Sequence, residues 1–160
     1  MLQPDQWLLD HQDALVRLNK WQRTVDIIAK VFSAPAGFIV QHTPAGYQVV
    51  VASQQVENPY SADGGVIPPD SNIFCKRVAE THSELYVRNA PDDRFWDDNP
   101  EVVNDGFRSY LGLPIFWPDG EPFGTICVMD FSATDDIYSS DVQNVSFRIS
   151  DIDGGADPYT

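Results

Sequence analysis

Two cysteines, three histidines and a cluster of carboxylates are the side chains in this sequence that could do chemistry. Cys75 stands in FCKRVAETH, next to Lys76 and Arg77. Cations aimed at a thiol lower its pKa, and the thiolate is the reactive form. The plainer reading is a small buried thiol, the common fate of cysteine. Cys127 alternates with Ile126 and Val128 and reads as packing. His11, His42 and His82 have no zinc spacing. Asp92, Asp93, Asp97, Asp98 and Glu101 offer oxygen ligands for a hard cation, but without EF-hand spacing they read as a solvated loop. The tail Asp151-Ile152-Asp153-Gly154-Gly155-Ala156-Asp157 lacks the later glutamate of a calcium loop. There is no phosphate-binding loop, nucleophile elbow or dinucleotide fingerprint. No catalytic residue, metal or cofactor is therefore assigned. Arg94, Phe95 and Trp96 point instead to binding: an aromatic pair walls a ligand and an arginine fixes an anionic group. Phe95 and Trp96 could equally anchor their loop in the core.

The elements that must position these residues are legible from periodicity. Leu8, Leu15, Leu18, Val25, Ile28 and Phe32 recur at threes, fours and sevens, with Trp21 and Ala29 widening the stripe. This spacing predicts a helix over 5–33, between Pro4 and Pro35. A helix that long has room to pair its first half with a second copy. Strands are expected over 37–42 and 46–52, the second rich in β-branched residues. A breaker-rich loop covers 53–71. A helix over 73–81, capped by Ser71 or Asp70, would turn Phe74, Val78 and Cys75 inward. A short strand at 85–87 and helical turns over 89–107 follow. Ser139-Ser140-Asp141 would start a last helix.

LGLPIFWPDGEPFGTICVMD, residues 111–130, reads as a hairpin turning at Asp119-Gly120. Leu111, Leu113, Ile115 and Trp117 alternate with Tyr110, Gly112, Pro114 and Phe116; Phe123, Thr125, Cys127 and Met129 alternate with Gly124, Ile126 and Val128. Neither strand keeps a face for water, so both belong inside a sheet covered on two sides. Ser109 and Tyr110 would add hydroxyls. Gly112 and Gly124 mark close approach by a backbone, a ligand or tight packing.

The chain has 160 residues, enough for one compact domain, and a formal net charge of -14. That charge argues against a nucleic acid or an anionic membrane as partner. Two cysteines make no disulfide scaffold, no apolar run reaches transmembrane length, and the N-terminus lacks a signal peptide. A cytoplasmic protein is the expectation.

NIFCKRVAETHSELYVRNAPDDRFWDDNP followed by RSYLGLPIFWPDGEPFGTICVMD resembles the GAF domains found in bacteria before histidine kinase, diguanylate cyclase and phosphatase outputs. The likeness runs from about Leu15 to Tyr138, and the hairpin is its most specific part. The resemblance implies an α+β fold: a central antiparallel sheet of five or six strands, terminal helices on one face, and a pocket-closing helix and loops on the other. It divides the chain into an N-terminal signalling helix (1–34), a core (35–138) and a truncated C-terminal helix and tail (139–160). It implies a sensory module without catalysis that binds a small molecule or partner. Candidate ligand-binding residues are Phe74, Cys75, Arg94, Phe95, Trp96, Ser109 and Tyr110. A homodimer through the N-terminal helix is expected. The alternatives are a ligand-free dimerisation module and a thiol-redox sensor using Cys75. Bilin-binding and sulfoxide-reducing relatives carry further motifs that this chain does not match.

Overall fold

The computed structural model describes residues 5–10, 14–134 and 147–149. His11, the side chain of Leu15, the helix expected from Ser139 and the acidic tail after Ile149 lie outside the described residues.

Six strands form one sheet: β1 (Ala36–Thr43), β2 (Gly46–Ala52), β3 (Leu85–Val87), β4 (Ser109–Phe116), β5 (Pro122–Asp130) and β6 (Phe147–Arg148). The order is β2-β1-β5-β4-β3, antiparallel throughout, with β6 added parallel to β4. Tyr110 to Gly112 of β4 pair with β3, and Ile115 and Phe116 pair with β6. The two short strands thus divide one edge between them. β6 was not expected, since two residues carry no period.

Helix α1 (Ala14–Val31) covers the lower face. Trp21, Val25 and Ala29 are fully buried, while Leu18, Ile28 and Phe32 are partly buried. Trp21 and Ala29, at the margin of the sequence stripe, are the centre of the buried one. Of the helix expected over 5–33, Ala14–Val31 is α-helical, whereas Leu8–Asp10 is a 3-10 turn. Buried Gln41 on β1 explains that turn. Its Oε1 accepts the Leu8 N–H at 2.8 Å, and its Nε2 donates to the Gln6 carbonyl at 2.7 Å. A side-chain amide here takes over backbone groups that a helix would otherwise bond internally. Leu8 packs under the sheet.

The upper face is covered by α2 (Phe74–Thr81), 3-10 turns at Ala90–Asp92 and Arg94–Trp96, and α3 (Pro100–Val103). The hairpin therefore has two dry faces, as its sequence demands. Alternation fails once. Ile115 pairs with Gly124 but Phe116 pairs with Pro122, so Phe123 is an extra, bulged residue. The bulge turns the Phe123 ring to the lower face, edge-on to Trp21 at 5.5 Å and to Trp117 at 5.0 Å.

Candidate functional site

The space between α2 and the sheet is filled by the protein's own side chains. Phe74 stacks on Tyr110 with ring centroids 4.7 Å apart and meets Trp96 at 4.7 Å. The Tyr110 ring lies across Gly112, where a Cβ would overlap the phenol. At Gly124 a Cβ would overlap the Val40 carbonyl oxygen of β1. The two glycines thus make room for an aromatic ring and a neighbouring strand, and no ligand is needed to explain either. At the other end of α2 a void of about 10 Å³, lined by His42, Val78 and His82 among others, has room for about one water.

Polar groups are sealed into this layer. The Cys75 thiol lies 3.5 Å from the Tyr110 hydroxyl, and Cys75 and Cys127 are both buried and unbridged. Burial pushes the Cys127 thiol well above its ordinary value, and its hydrogen bond to Cys75 adds to that. Burial likewise raises the Tyr110 phenol. Glu101 on α3 is 6% exposed, and desolvation pushes its carboxyl up to about 7. Its Oε1 accepts the Phe74 N–H at 3.0 Å and so caps α2. Neither Ser71 nor Asp70 is the cap: Ile73 holds the N-cap position and makes no side-chain cap. Tyr60 donates to Asp105, and burial and that bond raise its phenol.

Open space lies farther out. A cleft of about 460 Å³ runs between β3, the 3-10 turns and the exposed side of α2. Phe95 and Trp96 line it, with Arg77, Arg88, Asp92 and Asp93 supplying charge. The Arg77 guanidinium stands over the Phe95 ring, 5.6 Å from its centroid, a cation–π arrangement. Phe95 is half exposed and Trp96 buried. Asp93 Oδ1 accepts the Phe95 N–H at 3.0 Å and fixes the turn that presents both rings.

The seven expected site residues therefore fall in four places. Phe74, Cys75 and Tyr110 meet in the sealed layer, and Phe95 and Trp96 line the cleft. Arg94 is exposed, and the guanidinium groups lining the cleft are those of Arg77 and Arg88. Ser109 points away from Tyr110, as strand neighbours must, and donates to the Ser132 carbonyl at 2.8 Å. Sequence reasoning missed Arg77 as a wall of the cleft, Arg88 and the buried role of Glu101. Asn99-Pro100-Glu101 does carry a helix-start pattern, and Asn99 Oδ1 accepts the Glu101 N–H at 2.9 Å. Nothing in that pattern announces a buried carboxyl. Among the described residues, no group of three or more His, Cys, Asp or Glu side chains could hold a metal ion. Also among them, no helix is long and apolar enough to cross a membrane.

The GAF domain family model matches residues 19–146, and the chain belongs to that family. No curated protein sequence matches it. Among solved structures it is similar to the phycocyanobilin-bound GAF domain of a cyanobacterial phytochrome, at 15% identity and a TM-score of 0.60, over 74% of this chain and 73% of that one. It is similar to a Staphylococcus aureus NreA protein mutated in its nitrate binding site, at 14% identity and a TM-score of 0.58, over 78% and 92%. It is also similar to free methionine-R-sulfoxide reductase from Neisseria meningitidis in complex with its substrate, at 15% identity and a TM-score of 0.59, over 91% and 78%. At such identities the likeness is one of fold: a phycocyanobilin-bound GAF domain and a substrate-bound reductase share this architecture.

Proposed function

We propose that the chain is a sensory GAF module that binds a small molecule in the cleft beside β3. The observation that carries this reading is that Arg77, Arg88, Asp92 and Asp93 line one cleft with Phe95 and Trp96, with the Arg77 guanidinium over the Phe95 ring. Such a set favours a small anionic or zwitterionic molecule with a flat apolar part. The module has no catalysis of its own. It works in the bacterial cytoplasm ahead of an output such as a histidine kinase or diguanylate cyclase, and passes its signal through its terminal segments. The raised Cys127 thiol and the burial of Cys75 weigh against thiolate chemistry at neutral pH. The test is thermal shift against a panel of aromatic acids, amino acids and nucleotides, with Arg77→Ala as control. Stabilisation by a panel member, lost in Arg77→Ala, supports the cleft. No stabilisation by any member, or stabilisation untouched by Arg77→Ala, overturns it.

A second reading, a homodimer through α1, is favoured by Ile27 and Val31. They lie one turn apart and are 60% and 71% exposed. A light-scattering mass of one chain at tens of micromolar would remove it.

A further inference from the structure

Helix α2 carries Arg77 to the cleft but is held from elsewhere. Its N-cap residue, Ile73, offers its free N–H groups no side-chain acceptor. Glu101, on α3, supplies one across 27 residues of chain. The groups facing this buried carboxyl are acids or neutral donors: the Asp105 carboxyl, the Tyr60 and Tyr110 phenols and the Cys127 thiol. The cations of α2 are Lys76, half-buried, and Arg77, which stands over Phe95. Asp97 and Asp98, ahead of α3, are exposed.

We propose that Glu101 is a proton-operated latch on α2, tight when ionised and loose when protonated, that sets the position of the cleft's inner wall. The ionised carboxylate makes a charge-assisted bond to the Phe74 N–H at the positive end of the helix. The protonated acid is a weaker acceptor with no charge for the dipole. Phe74 is the lever: its ring packs on Trp96, which lines the cleft, and Arg77 sits three residues on along the same short helix. Desolvation and the nearby Asp105 raise the carboxyl, the Phe74 N–H hydrogen bond and the adjacent Asn99 amide pull it partly back, and the net position is about 7. The latch therefore changes state around neutral pH. The consequence for ligand affinity rests on the cleft reading and is reciprocal: a molecule that prefers the tight state also eases the release of the proton.

The test follows Glu101 and Trp96 directly and needs no ligand, so it can fail or succeed independently of the cleft reading. Protein labelled with carboxyl-¹³C glutamate and 5-fluorotryptophan is titrated by NMR from about pH 4 to about pH 9. One glutamate resonance should titrate near 7 and vanish in Glu101→Gln. The Trp96 fluorine resonance, assigned with Trp96→Phe, should move with the same midpoint and stay still in Glu101→Gln. Every glutamate titrating near the ordinary 4.5 overturns the latch. So does a Trp96 signal that ignores the Glu101 midpoint, or one that still moves in Glu101→Gln and so belongs to another group. If Glu101→Gln does not fold, the two wild-type midpoints decide alone.

Discussion

Gly124→Ala tests the account of the hairpin most directly. Gly124 pairs with Gln41 of β1 on one side and with Ile115 of β4 on the other. An added Cβ overlaps the Val40 carbonyl oxygen and stands 2.9 Å from its carbon and 3.0 Å from the Gln41 Cα. All three obstacles are backbone, so no rotamer relieves them. Carbon–oxygen contacts begin near about 3.3 Å, far beyond the overlap with the Val40 oxygen, so β1 and β5 must separate locally by about 1 Å or more. Two or three ladder hydrogen bonds would weaken, each worth about 1 kcal/mol, and overpacking strain adds about 1–3 kcal/mol. Alanine returns about 0.4–1 kcal/mol by narrowing the unfolded ensemble. The net expected loss is about 2–4 kcal/mol, or roughly 5–12 °C in Tm for a domain of this size. Urea denaturation of both proteins, with the slope m checked for constancy, measures it. Gly112→Ala is the companion, because its obstacle is a side chain, the Tyr110 ring. In a Tyr110→Ala background, Gly112→Ala should cost under about 1 kcal/mol, a coupling that a double-mutant cycle reads. A loss under about 1 kcal/mol for Gly124→Ala alone would refute the close strand approach and reopen that face to a ligand.

Glu101 also links folding to pH. Burial of the charge outweighs the tighter bond to Phe74 and puts its folded pKa above its unfolded value, so the stability it contributes is complete below about 4.5 and is lost as pH rises through about 7. That window corresponds to about 3 kcal/mol, and the stability of Glu101→Gln should fall less steeply over it in denaturant melts at stepped pH. Gln41→Ala should release residues 5–10 at a cost of about 2 kcal/mol, read as faster amide exchange at Leu8 with the β1–β5 ladder still protected.

The family and the layer order were legible in this chain because they rest on period and turn chemistry. The hairpin has apolar residues at both strand phases and Asp119-Gly120 between them, which forces an inner position whatever lies above and below. The α1 stripe and the strands at 36–43 and 46–52 follow from the same local rules. Residues whose role depends on a distant partner were not legible. Gln41 looks like a polar strand residue until it meets residues 6 and 8. Glu101 looks like a solvated acid until Phe74 arrives beneath it. Arg77 and Arg94 are alike in sequence, and only the placement of α2 beside the Phe95 turn puts the guanidinium of Arg77 at the cleft. The amino-acid sequence by itself determined that this is a sheet covered on both faces, since burial of an apolar face is demanded locally. Tertiary structure alone decided that the covered face is filled, that its open cleft lies at the β3 edge, and that one carboxyl group is sealed between them. Those outcomes depend on which side chains meet across tens of residues, and no local pattern encodes such a meeting.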